Sequence, residues 1–170
     1  MGEIRDRETM EHAIAFSETG HLCLATLHAN SANQAMERII NFFPHDRHPQ
    51  LLKDVSLNLR GMVAQRLLPR EDGKGRVAIV EVLLNSALIA DLIMKGEVQE
   101  IKEVMKRSTE IGMQTFDQAL FDAFEARQIS YEDAVRNADS QNDIKLRIKL
   151  ESQRARNSDL AAGTEHLQIV

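Results

Sequence analysis

His21-Leu22-Cys23-Leu24-Ala25-Thr26-Leu27-His28 is a nearly continuous apolar run between a glycine (Gly20) and the polar pair Asn30-Ser31. A run of that length without alternation suits a strand buried on both faces, and strands of that kind belong to parallel sheets. The segments on either side read as helices. Upstream, Asp6 is an N-cap for a helix over about residues 7–19, with Glu8 in its first turn, Met10, Ala13, Ile14 and Ser17 on its inner face, and Gly20 as its stop. Downstream, Ser31 caps a helix in which Ala32, Ala35, Met36, Ile39, Ile40 and Phe43 recur at helical spacing until Pro44. Helix, buried strand and helix in that order predict an α/β architecture.

The rest of the chain extends this reading. Residues 44–49 predict a loop bracketed by prolines, and Leu51 to Gln65 a helix. Residues 66–71 and 76–84 predict a β-ribbon closed by Asp72-Gly73-Lys74-Gly75. From Ala87 to about Leu150 the pattern is helical, punctuated by Gly96, Gly112 and Ser130. Ile144, Leu146, Ile148 and Leu150 alternate with cations in a strand period, but the segment is read as helix with its neighbours. Residues 151–170 are polar without a clear apolar period and are expected to be disordered.

Composition narrows the function classes. The chain of 170 residues is 43% hydrophobic and 28% charged, as a globular domain is. Its 21 Lys and Arg against 26 Asp and Glu give a formal charge of −5, which argues against a nucleic-acid partner. Six Phe, one Tyr and no Trp offer few platforms for stacking bases. Cys23 is the single cysteine, so no internal disulfide and no cysteine zinc cluster can form, and a reducing cytosol is expected. No apolar run reaches the roughly 18 residues of a membrane span.

The chemistry-bearing residues gather around the opening stretch. Ligands of open parallel sheets bind beyond the carboxyl ends of strands, so Glu3, Arg5 and Asp6 before the first helix and a histidine ending the 21–28 strand can face one pocket. His21 and His28 would lie about 23 Å apart along a straight strand, so His28 is favoured for the pocket and His21 for the corner or a subunit contact. The alternative is that Glu3, Arg5 and Asp6 form an exposed cap with local salt bridges. His45 and His48 flank Asp46 in the proline loop, a polar grouping better explained by solvent exposure than by a metal. Lys145, Arg147, Lys149, Arg154 and Arg156 read as a solvated basic face.

Three segments carry a resemblance. Gly2-Glu3-Ile4-Arg5-Asp6 with Glu8-Thr9, then Glu18-Thr19-Gly20-His21-Leu22, then Thr26-Leu27-His28-Ala29-Asn30-Ser31-Ala32, resemble the Walker B and histidine-box segments of the secretion ATPase superfamily. Gly112-Met113-Gln114-Thr115-Phe116-Asp117 narrows the resemblance to the PilT/PilU family of type IV pilus retraction motors. Within it the chain is more similar to the PilU branch, because Leu88-Ile89-Ala90-Asp91-Leu92-Ile93-Met94 stands where the PilT branch carries two arginines. The resemblance covers about residues 1–150.

It implies the C-terminal part of a P-loop, RecA-like ATPase domain, with residues 1–85 as the end of the nucleotide-binding core, 86–150 as a helical subdomain and 151–170 as a tail. Glu3 would be the Walker B glutamate that orients the attacking water near Mg²⁺ and the γ-phosphate of ATP. His28 would sense that phosphate and His21 would support it; Arg5 and Asp6 fall in the motif without a separate step, and no residue here would bind the metal directly. The implied protein is a hexameric, cytoplasmic motor for pilus retraction and twitching motility, an accessory to a PilT-like partner, held at the inner membrane face by a platform protein. The alternative is a noncatalytic ring or interaction module that binds such a motor. A type II secretion assembly ATPase is weaker, because the cysteine cluster common in that group is missing. The only Gly-Lys pair, Gly73-Lys74, lies in the hairpin signal and does not form Gly-x-x-x-x-Gly-Lys-[Ser/Thr]. The phosphate-cradling loop is therefore expected upstream of Met1, and the 170 residues alone are expected not to hydrolyse ATP.

Overall fold

The computed structural model describes residues 2–156. In chain order the elements are α1 (Arg7–Glu18), α2 (Ala32–Asn41), α3 (His48–Asn58), β1 (Gly61–Pro69), β2 (Arg76–Leu84), α4 (Ala87–Lys95), α5 (Ile101–Arg107), α6 (Phe116–Glu125), α7 (Tyr131–Asn137) and α8 (Gln141–Glu151). The fold is α/β, with β1 and β2 pairing as an antiparallel ribbon. The chain divides into two compact units. One runs to Gln65 and resumes over Val80–Thr115; the other comprises Arg66–Ile79 and the chain from Phe116. This division does not follow the 85/86 boundary expected from the sequence, because α4 packs on α3 and α5 on α4, within the first unit.

In the first unit the helices take their apolar faces inward as their spacing dictates. Met36 of α2, Leu83 of β2, Ile89 and Ile93 of α4, and Ile101 and Met105 of α5 are fully or almost fully buried in one cluster. Ser31 caps α2 by accepting from the Gln34 amide, and Ser86 caps α4 by accepting from Ile89. Gly96 closes α4 in the left-handed region at φ +74°, where it is favoured for lack of a Cβ. The expected helix over Leu51 to Gln65 stops at Asn58, and its last five residues open β1 instead. From Gly61 the side chains alternate between solvent and the interior, a period of two in which Arg66 falls on the inner side, over the Phe116 ring. The proline loop is a 3-10 turn at His45–Arg47 running straight into α3, with Pro49 in the first turn where its missing N–H costs nothing.

The opening stretch differs most from expectation. Residues 21–28 are extended, and they pair in parallel with the segment at Glu3, but only through one bridge to Thr26. Cys23 and Leu27 turn toward the core, whereas Leu22 and Leu24 are 76% and 71% exposed. The predicted burial on both faces is therefore corrected to burial on one. Successive residues of an extended chain point to opposite sides, and among the described residues nothing covers the outer side.

The second unit is built on α6, whose Phe116, Leu120, Phe121 and Phe124 are buried. Ser130 caps α7 by accepting from Asp133, as its position predicts. Residues 141–151 are helical despite their alternating pattern: Ile144 and Ile148, four apart, are buried, while Leu146 and Leu150 face solvent. Two arginines read as part of a solvated face instead lie over rings, Arg147 at 4.1 Å from the centre of Phe121 and Arg154 at 4.3 Å from that of Phe124. The tail expected from residue 151 is ordered at its start. Ser152 is fully buried, residues 153–156 are helical, and Arg154 donates to the carbonyls of Phe124 and Ile129 at 2.8 and 3.0 Å. Residues 157–170 of that tail lie outside the described residues. No described helix is long and apolar enough to cross a membrane.

Candidate functional site

The site is assembled by strand pairing. Ile4 donates its amide to the Thr26 carbonyl at 2.8 Å, and the Thr26 amide donates to Gly2 at 3.1 Å. Ile4 points into the core at 9% exposure, so Glu3, its neighbour in an extended chain, points out. On the paired segment His28 lies two residues beyond Thr26, hence on the same side. The outcome is a contact between Glu3 and His28, with Oε1 to Nε2 at 3.3 Å. Both side chains are open to solvent, His28 at 79% and Glu3 at 40%. A contact this exposed contributes little to stability, and both groups are accessible to a ligand.

The turn that carries His28 is held to α2. Ala29 donates to the Leu27 carbonyl, Asn30 to the Gln34 side chain at 3.2 Å, and the Gln34 amide to Ser31. His28, Asn30, Gln34, Glu37, Arg38 and Asn41 line an open cavity of about 800 Å³. Glu37 accepts from Gln99 at 2.7 Å, and Arg38 lies over the Phe42 ring at 5.8 Å. One contributor was not legible as a site residue. Glu81 of β2 is 2% exposed, and its Oε1 accepts the Ala32 amide at 2.7 Å, at the first residue of α2. The signal available in sequence was a lone acid within the apolar run Val77-Ala78-Ile79-Val80-Glu81-Val82-Leu83-Leu84.

The other expected residues sit elsewhere. Asp6 forms a capping box at α1: its carboxylate accepts the Thr9 amide at 2.9 Å and the Thr9 hydroxyl at 2.7 Å, while its own amide donates to that hydroxyl. Those bonds, the Thr9 amide first, hold the Asp6 carboxyl below its ordinary value, with the Arg5 charge adding to them. Arg5 is exposed, 3.8 Å from Asp6. His21 lies past the far end of α1, about 18 Å along a twelve-residue helix. Its Nδ1 is 3.0 Å from the Thr19 hydroxyl, and its ring stands edge-on to Phe16. Glu3 and His28 are thus brought together and His21 is held at the corner. Among the described residues no three of His, Cys, Asp and Glu gather to hold a metal.

In this α/β unit an acidic residue and a histidine thus meet beside the start of α2. The chain belongs to the type II/IV secretion system protein family, whose model matches residues 1–136. It is 66% identical to the type IV pilus ATPase PilU of Pseudomonas aeruginosa over 153 residues, which is 90% of this chain and 40% of that protein. It is 33% identical to the type IV pilus retraction ATPase PilT of the same organism, over 71% of this chain and 35% of the other. A crystal structure of the pilus retraction motor PilT with bound ADP aligns at a TM-score of 0.75 and 35% identity, over 85% of this chain and 40% of that one. The ATPase DotB of Yersinia pseudotuberculosis aligns at 0.70 and 25% identity, over 79% and 35%. The chain therefore spans about two fifths or less of the length of these relatives.

Proposed function

We propose that this chain is the part of a PilU-like pilus retraction motor that carries the water-orienting glutamate and the phosphate-sensing histidine. The observation that carries the reading is the 3.3 Å approach of His28 to Glu3 at the mouth of an open polar cavity. Glu3 would hold the attacking water by accepting its hydrogen bond, and His28, with a ring nitrogen facing Glu3, would report on the γ-phosphate. Bound Mg²⁺ supplies neutralisation of charge on the phosphate oxygens. Magnesium takes oxygen ligands and substrate phosphates, so such an ion would arrive with its nucleotide.

The 170 residues contain no phosphate-cradling loop, so the chain would act within an assembled motor rather than alone. That motor would be a hexamer, or a ring working with a PilT-like partner, at the cytoplasmic face of the inner membrane on a platform protein, driving retraction and twitching motility. An accessory role is supported by α4, where Ala90 and Met94 occupy the positions at which the PilT branch carries arginine, Ala90 half-buried and Met94 half exposed.

The test is ATP turnover in a complete motor containing this segment. Glu3→Gln is expected to lower turnover by about 10²- to 10⁴-fold, with assembly unchanged by sedimentation. Unchanged turnover would overturn the assignment of Glu3. Turnover by the isolated 170 residues that disappears in Glu3→Ala would overturn the division of labour.

A further inference from the structure

Glu81 is a carboxylate buried to 2% exposure that has no part in the proposed chemistry. Its backbone neighbours on β2 are clamped by one residue: Val82 exchanges two hydrogen bonds with the Gln114 backbone, at 2.8 and 3.0 Å, and Val80 accepts from the Gln114 side chain at 3.0 Å. Gln114 belongs to the Gly112-to-Asp117 motif, which the proposed function leaves without a task. With β2 held on both sides of position 81, the carboxylate is fixed where its Oε1 takes the Ala32 amide at 2.7 Å. Ala32 opens α2, where amides lack partners within the helix and the helix dipole favours an anion. Four residues before it stands His28, and the intervening Asn30 is tied back to Gln34 in the same first turn.

We infer that Glu81 is a positioning residue: through the Ala32 amide it anchors the His28-to-Ser31 turn, and so sets His28 against Glu3. The inference rests on the reading of Glu3 and His28 as the site. The geometry is specific about what the side chain must do. Gln at position 81 keeps an oxygen acceptor of the same reach, Leu keeps the volume and loses the acceptor, and Asp keeps the charge but falls short by one methylene.

The experiment is NMR on the full 170-residue chain, with two readouts in wild type, Glu81→Gln, Glu81→Asp and Glu81→Leu: exchange of the Ala32 amide, and the nuclear Overhauser contact between the His28 ring and the Glu3 side chain. Glu81→Leu and Glu81→Asp are expected to speed Ala32 exchange about tenfold or more, the loss of one buried hydrogen bond, and to abolish the His28 to Glu3 contact. Glu81→Gln is expected to keep both near wild type. A residue that merely stabilised the fold would lower the melting temperature in all three and leave the contact in place. The contact surviving in Glu81→Leu and Glu81→Asp overturns the inference. Should Glu81→Leu not fold, Glu81→Asp decides alone; should neither fold, loss of the contact in Glu81→Gln with Ala32 still protected overturns it. A wild-type chain without the contact, but with a protected Ala32, sinks the site reading and the inference with it, whereas the contact present and indifferent to Glu81 sinks only the inference.

Discussion

Ile4 gives its amide to the carbonyl of Thr26 at 2.8 Å, and this one parallel pairing decides which side chains meet. Shifted by one residue, it would turn Glu3 toward the core and Ile4 toward solvent. Thr26 also donates its own amide to Gly2, so Thr26→Pro removes a donor from the pairing and is expected to unprotect the Ile4 amide in hydrogen exchange. Thr26→Val keeps the amide and should leave Ile4 protected.

Asp6 makes the start of α1 sensitive to acid. Its carboxyl titrates below the ordinary 3.8 in the folded chain, chiefly because the Thr9 amide bonds the charged form. A group whose pKa is lowered by folding contributes stability that is complete above its unfolded value and is lost as the pH falls through its folded value. At neutral pH, Asp6→Ala should therefore melt a few degrees below wild type. The gap should narrow as the pH falls through and below 3.8. Asp6→Asn keeps a neutral acceptor and should show a smaller gap with less dependence on pH. Thermal melts across that range check both.

Met36 is fully buried on α2, the helix that holds the His28 turn. Met36→Ala should cost about 2–5 kcal/mol, the lost transfer energy plus the cavity left behind. Urea denaturation followed by circular dichroism measures it. Leu22→Ala, at a side chain already in water, should cost less than about 0.5 kcal/mol.

Arg154 ties the end of the described chain to the second unit. It donates to two carbonyls, pairs with Glu71 and covers the Phe124 ring. Arg154→Ala should destabilise by about 1.5–3 kcal/mol, as for hydrogen bonds from a charged group. Lysine should not restore the loss, because its point charge cannot serve both carbonyls and the carboxylate at once or stack on the ring. Melting curves of the two variants decide.

Much of the helical framework was legible because its signals are local. Asp6, Ser31 and Ser130 cap where their positions say they should, and the ribbon closes at Gly73. What failed depends on residues far apart in the chain. The end of α3 is held by Asn85, whose side chain donates to the carbonyls of Ser56 and Leu59, and the one-sided burial of residues 21–28 is set by what packs on the strand. Arg154 reads as surface charge until Phe124 is known to lie beneath it. At the candidate site, the approach of His28 to Glu3 was legible through motif and strand direction. Glu81 was not, since its partner Ala32 stands 49 residues away and nothing in an apolar strand reveals whom a single acid will meet.

Gly61 begins β1 with its backbone pressed so closely on β2 that a Cβ there would stand 2.8 Å from the Leu83 carbonyl oxygen, an atom that cannot swing aside as a side-chain tip would. Every other amino acid carries that Cβ. At position 61, then, no missense change is conservative in the usual chemical sense. Substitution to alanine and to tryptophan share the same first obstacle, and the tolerance of this codon is governed by the distance between two strands rather than by the character of any side chain.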